Sequence, residues 1–148
     1  MSYLLDTNHC SNIINGNPQV TDTLKSCSSV TIGVSIITYA ELLYMTEKSA
    51  LKSQNLGAVQ VFLSDVDLYF LDEETAIIYS RLKSSVFNYF APQEKSKRRN
   101  FSIENLGFSD HDLWIAATAI QHNLTLVSAN SDFTRIHQVQ PFPLESWL

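Results

Sequence analysis

The chain has 148 residues, 45% of them hydrophobic and 17% charged, with a net charge of −5. That length suits a single domain, residues 1–148, which buries about 70% of its unfolded surface and needs no covalent staple. Cys10 and Cys27 form no metal-type spacing, no basic start runs into an apolar leader, and no stretch approaches the roughly 18 apolar residues of a membrane span, so the reducing cytoplasm is the expected compartment.

Elements alternate along the chain. YLLD (3–6) reads as a short buried strand, SNIINGN (11–17) as a short helix stopped by Gly16 and Pro18, and TDTLKSC (21–27) as another helix. The β-branched residues of VTIGVS (30–35) predict a strand. A long helical region follows over 36–63, broken near Ser49 or Gly57, then a strand at VDLYFL (66–71) and a helix over 73–90 ending before Pro92. Residues 92–107 are polar and basic and read as a loop insertion. A helix over 112–123 and a strand at LTLVS (124–128) follow. The tail carries Pro141 and Pro143 and closes on LESWL, and no further element is read there. Short apolar strands separated by helices predict an α/β fold, a mostly parallel sheet with helices on both faces. In such sheets ligands bind beyond the carboxyl ends of the strands.

Acids fall at those ends. Asp6 follows the first strand, Glu41 lies six residues beyond the second, Asp112 opens the 112–123 helix, and Asn130 and Asp132 follow the last strand. Several carboxyl oxygens gathered at one sheet edge suit Mg²⁺ or Mn²⁺, and such an ion can activate water as a nucleophile. Capping is the competing reading. Asp6 could cap the next helix, while Thr38 with Glu41 and Ser109 with Asp112 both match the capping box. Capping explains each acid separately and does not require them to converge. The face Asp112, Ile115, Ala116, Ala119 puts a carboxylate at the start of a buried stripe, where it needs a partner or a metal. Asp110 lies on the other side of that helix. Phosphate loops, G-x-S-x-G and zinc spacings are missing, and DTNHC lacks the second Asp of aspartyl-phosphate enzymes. Cys10 reads as a small buried hydrophobe and His111 as an exposed first-turn residue.

YLLDTN, SIITYAELLY, DLWIAATAIQHNLTLVSANSDF and the terminal LESW together resemble the PIN-domain ribonucleases, specifically the VapC-type toxins of bacterial toxin–antitoxin pairs. The resemblance covers roughly residues 1–45 and 108–148. It implies a three-layer α/β/α domain and a Mg²⁺- or Mn²⁺-dependent endoribonuclease acting on structured RNA, such as tRNA or rRNA, neutralised by a VapB-type antitoxin and usually homodimeric. It implies Asp6, Glu41 and Asp112 as catalytic metal acids, with Thr7, Asn8, Ser128, Asn130 and Asp132 as supporting or phosphate contacts. Products with 5′-phosphate and 3′-hydroxyl ends are expected. Asn130 stands where the family often carries an acid, which favours one tightly held ion. A PIN-like module that binds RNA or protein without cutting is the alternative.

Six of the ten Lys and Arg residues lie between Arg81 and Arg99. Lys95, Lys97, Arg98 and Arg99 could hold an RNA backbone despite the negative net charge, with Phe90 and Phe101 free to stack on a base. A solvated surface loop anchored by the two Phe is the plainer reading. Leu42, Tyr44, Met45 and Leu56, in the 36–63 helical region, look exposed and suit a groove for an antitoxin segment, a homodimer face or core.

Overall fold

The computed structural model describes residues 1–27 and 29–148. Over these residues five strands, β1 (Ser2–Leu5), β2 (Thr31–Ser35), β3 (Asp67–Tyr69), β4 (Thr125–Val127) and β5 (Leu144–Glu145), form one sheet in the order β3-β2-β1-β4-β5. Every pairing is parallel, with Leu4 opposite Gly33 on one side and Leu126 on the other. The helices are α1 (Thr7–Ile14), α2 (Pro18–Ser26), α3 (Ile36–Glu47), α4 (Lys52–Ser64), α5 (Glu73–Phe90), α6 (Lys95–Arg98), α7 (Asp110–Gln121) and α8 (Ser131–Val139).

Alternation along the strands divides the core. Leu4 and Leu126 point into a cluster with Leu82, Val86, Leu113, Phe133 and Ile136, from α5, α7 and α8. Their neighbours Tyr3, Leu5 and Val127 point the other way, onto Cys10, Val20, Leu42 and Val59 from α1 to α4. Period-two side chains on strands buried on both faces make three layers, helices over sheet over helices. Cys10 is fully buried, as a small hydrophobe should be.

Local chemistry sets the element ends. The Asp6 side chain accepts from the His9 N–H, so α1 begins at Thr7 rather than Ser11. Gly16 takes φ +74°, and Asn17 caps α2 with Pro18 at its first turn. The break between α3 and α4 falls around Ser49, and Gly57 lies inside α4. Asp72 and Thr75 form a reciprocal capping box at α5.

The tail departs from the sequence reading. Asn130 accepts from the Asp132 N–H and starts α8, and β5 then joins the sheet edge beside β4. The helix is nine residues long and β5 only two, and β5 earns its place by pairing, which no local pattern displays. The basic 92–107 stretch is also more ordered than a loop, with α6 and a 3₁₀ turn at Glu104–Leu106.

Candidate active site

From β1 the chain steps outward through β2 to β3, then returns to the opposite side of β1 for β4 and β5. The order therefore reverses between β1 and β4, and a crevice opens past their carboxyl ends. Asp6 leaves β1 there, its N–H donating to the Val127 carbonyl of β4 at 3.1 Å. A cavity of about 360 Å³ occupies this crevice, walled by Asp6, Thr7, Asn8, Glu41, Asp112 and Asn130, with Met45, Ile115 and Phe133 among its apolar lining.

The Asp6 carboxylate is buried and makes three polar contacts. Its Oδ1 accepts from the His9 N–H at 2.9 Å and lies 3.0 Å from His9 Nδ1, and its Oδ2 accepts from the Ser128 hydroxyl. Ser128 in turn accepts from the Asn130 N–H at 3.0 Å. Asp6 therefore caps a helix and lines the cavity at once, and the two sequence readings do not exclude each other.

Glu41 is different. Ser35 caps α3 by accepting from the Thr38 N–H at 3.0 Å. The proposed Thr38–Glu41 capping box is thus absent, because β2 runs to Ser35 and the helix starts directly behind it. Glu41 falls in the second turn with no cap to make. Thr7 donates to its Oε2 at 3.1 Å. Among the described residues its buried Oε1 has no hydrogen-bond partner, although His111 Nδ1 stands 3.4 Å away. An unpaired buried carboxylate oxygen is costly unless a ligand completes it.

Asp112 sits at the third position of α7, whose Ser109 cap makes no side-chain bond. Its Oδ2 accepts from Asn130 Nδ2 at 3.3 Å. Burial first, then the neighbouring Asp132, Glu41 and Asp6 carboxylates, pushes its carboxyl from 3.8 up to about 7. Burial together with converging acids produces this shift. Ile115, Ala116 and Ala119 are buried as the helix face requires, and Leu113, Ala117 and Thr118 extend the burial around α7. Asp110 faces away, bonded to the Tyr79 hydroxyl and to Lys83 Nζ at 3.0 Å.

The donor set fits a hard divalent cation: carboxylates at a sheet edge, one with an oxygen unpartnered among the described residues and one driven toward neutrality by burial and its neighbours. Among the described residues no three His, Cys, Asp or Glu side chains already close into a ligand cage. Asp132 stands beside Asp112 rather than on the cavity wall, and Arg135 lies 3.7 Å from it.

Lys95, Lys97, Arg98 and Arg99 stand outside the acidic cavity, with Lys95, Lys97 and Arg99 exposed. Arg98 donates to the Pro92 carbonyl at 3.2 Å and to Asn88 Oδ1 at 2.7 Å and covers the Phe87 ring, tying α6 to α5. Lys97 stands 3.7 Å from Glu94. Phe90 packs on Phe108 and Phe101 on Phe87, and both rings are half-buried. Leu42 is buried in the core, whereas Tyr44 and Met45 are exposed.

The profile of the PIN domain family matches residues 3–138. The chain belongs to the PIN-domain family. It is 31% identical to Ribonuclease VapC2 of Rickettsia felis, over 99% of this chain and 98% of that one, which places it among the VapC ribonucleases. It is 25% identical to the tRNA(fMet)-specific endonuclease VapC of Salmonella typhimurium, over 99% of this chain and 98% of the relative. Among solved structures, VapBC2 from Rickettsia felis bound to a promoter DNA fragment superposes with a TM-score of 0.81 at 29% identity, covering 100% of both chains. The three-layer PIN fold read from the sequence is therefore the fold of this VapC-family chain. His9, which touches Asp6, had no mark in the sequence beyond its place in the first turn of α1.

Proposed function

We propose that this VapC-family ribonuclease is an endoribonuclease toxin that hydrolyses phosphodiester bonds in structured RNA with Mg²⁺ or Mn²⁺ held by Asp6, Glu41 and Asp112, and that a VapB-type antitoxin neutralises it. One observation carries the metal assignment: Glu41 keeps a buried oxygen without a partner in the same cavity where Asp112 is pushed up to about 7. A divalent ion, when bound, supplies Lewis acidity toward the phosphodiester and the attacking water. The chain's residues do the positioning. His9 and Ser128 fix Asp6, Thr7 orients Glu41, and Asn130 holds Asp112 while capping α8. Asn8, exposed at the cavity wall, is placed to meet an RNA phosphate. In the reaction water forms a bond to phosphorus, the P–O3′ bond breaks, and the proton passes to the 3′-oxygen. The products carry 5′-phosphate and 3′-hydroxyl ends.

The antitoxin reading rests on the VapBC likeness and on the surface beside the site. A groove of about 470 Å³ between α1, α3 and α4, lined by Ile14, Leu42, Met45 and Val59, shares Ser11 and Met45 with the acidic cavity. A segment filling both would block RNA. A homodimer is proposed from the family alone. No helix among the described residues is long and apolar enough to cross a membrane, and we place the protein in the cytoplasm.

The test is cleavage of a total-RNA and tRNA pool by antitoxin-free protein in Mg²⁺, Mn²⁺ or EDTA, beside Asp6→Asn and Asp112→Asn. Discrete fragments that need metal and vanish in both folded variants support the reading. Intact RNA, still bound by wild type, supports the non-cutting module, which the capping role of Asp6 and the missing acid at Asn130 favour.

A further inference from the structure

We infer that His9 is a positioning residue for Asp6, with its ring tautomer set by the chain's last strand and the backbone N–H of Trp147. The inference rests on the reading of Asp6 as an ion-holding acid. His9 is fully buried in the first turn of α1, and both ring nitrogens are engaged. Nε2 accepts from the Trp147 N–H at 3.2 Å. A backbone N–H can only donate, so Nε2 presents its lone pair and the ring proton sits on Nδ1. Nδ1 lies 3.0 Å from Asp6 Oδ1 and therefore donates to it. Together with the His9 N–H on the same oxygen and the Ser128 hydroxyl on the other, this fixes the carboxylate plane from two sides.

The far end of the contact is anchored as firmly. Trp147 is 5% exposed, its ring stands edge-on to Tyr3 at 5.3 Å, and its Nε1–H donates to Glu145 Oε1 at 2.8 Å. Glu145 belongs to β5, which pairs with β4 at Val127, the residue before Ser128. The terminal LESW thus reaches Asp6 by two routes, through β4 to Ser128 and through Trp147 to His9. A buried histidine kept only for packing would need its bonds satisfied, but which nitrogen faced Asp6 would not matter to the site.

Two substitutions divide these roles. Asn presents an amide N–H where Nδ1 stands, and Gln presents a carbonyl oxygen where Nε2 stands. His9→Asn keeps a donor for Asp6 and drops the acceptor for Trp147; His9→Gln does the reverse. Mn²⁺ binding to RNA-free protein is followed by the electron paramagnetic resonance of free Mn²⁺, beside RNA cleavage and thermal melting. His9→Gln should raise the Mn²⁺ Kd by about 10–100-fold, the usual effect of losing a residue that orients a metal ligand. It should lower kcat with KM for RNA unchanged, and His9→Asn should recover both, whatever the order of the two melting temperatures. Equal Mn²⁺ affinities in the two variants, or tighter Mn²⁺ binding by His9→Gln, would overturn the inference. Nitrogen NMR of wild type decides the tautomer even if neither variant folds: an Nδ1–H ring is expected, and any other pattern overturns it. Wild type that binds no Mn²⁺, with Asp6→Asn as active as wild type, would refute the metal reading itself. Loss of Mn²⁺ in Asp6→Asn but not in His9→Gln would refute only the role of His9.

Discussion

Replacing Asp112 by Asn should make the metal-free protein more stable at pH 8 while abolishing cleavage. The sign follows from linkage. The Asp112 carboxyl lies at about 7 in the fold, against an ordinary 3.8, so between those values the native state holds a proton that the unfolded chain has released. The penalty is absent below pH 3.8, grows as pH rises through the window, and is complete above about 7. At about 1.36 kcal/mol per pH unit the whole gap corresponds to about 4 kcal/mol. Solvent screening of this half-buried group and the sharing of charge with Asp132, Glu41 and Asp6 reduce that to about 2 kcal/mol. Asn keeps the shape and removes the charge. In a chain of this length about 2 kcal/mol raises Tm by about 4–8 °C. The assay is thermal and urea unfolding of both proteins in EDTA at pH 8 and pH 4.5. The gain should be clear at pH 8 and largely gone at pH 4.5. Adding Mg²⁺ at pH 8 should stabilise wild type far more than the variant. A variant no more stable than wild type at pH 8, or a gap that does not close in acid, would refute the account of uncompensated charge.

Gly33→Ala should destabilise the sheet by about 1–3 kcal/mol, because a Cβ there would stand 2.4 Å from Tyr69 Cε2 and 3.3 Å from the Asp67 carbonyl; an unchanged urea midpoint would show that the Tyr69 ring yields freely. Leu113→Ala, in the fully buried face of α7, should cost about 2–5 kcal/mol by leaving a cavity between α7 and the sheet. Urea unfolding checks it, and a loss under about 1 kcal/mol would mean the helix collapses inward. Asp72 is held below the usual carboxylate range by the Thr75 N–H and by Gln121 and Thr75 side-chain bonds. Its stabilising contribution is present above the unfolded value near 3.8 and is lost as pH falls through its lower folded value. Asp72→Asn should therefore fall behind wild type at neutral pH and draw level in acid, as followed by melting temperature against pH.

Much of the fold was legible because strands and helices here carry strong local signals. The β-branched run at 30–35 and the unbroken apolar run Tyr3, Leu4, Leu5 mark strands, and the structure buries all three of those apolar residues. Asp6 and Glu41 were legible as acids following strands and Asp112 as an acid opening a helix, and the fold brings all three to one cavity. Whether each capped a helix was not legible. A capping box is three residues of spacing, and Thr38–Glu41 has the spacing without the bond because Ser35 sits one turn earlier. Phe90, Phe101 and Arg98 looked available for RNA, yet aromatic and guanidinium groups pack as readily against neighbouring elements of the same chain.

The sequence by itself determined the alternation of elements, the parallel sheet, the family and the three acids, since these depend on residue type and near-neighbour spacing. Only the tertiary structure decided which acid is pinned, which keeps one oxygen without a partner among the described residues and which is driven toward neutrality. Those properties come from groups distant in the chain: Ser128 on Asp6, Thr7 on Glu41, Asp132 and Asn130 at Asp112, and Trp147 through His9. Burial and hydrogen bonding act through space, and a two-residue strand at the end of the chain can set the orientation of a carboxylate at its beginning because β4 and the His9 ring bridge the distance between them.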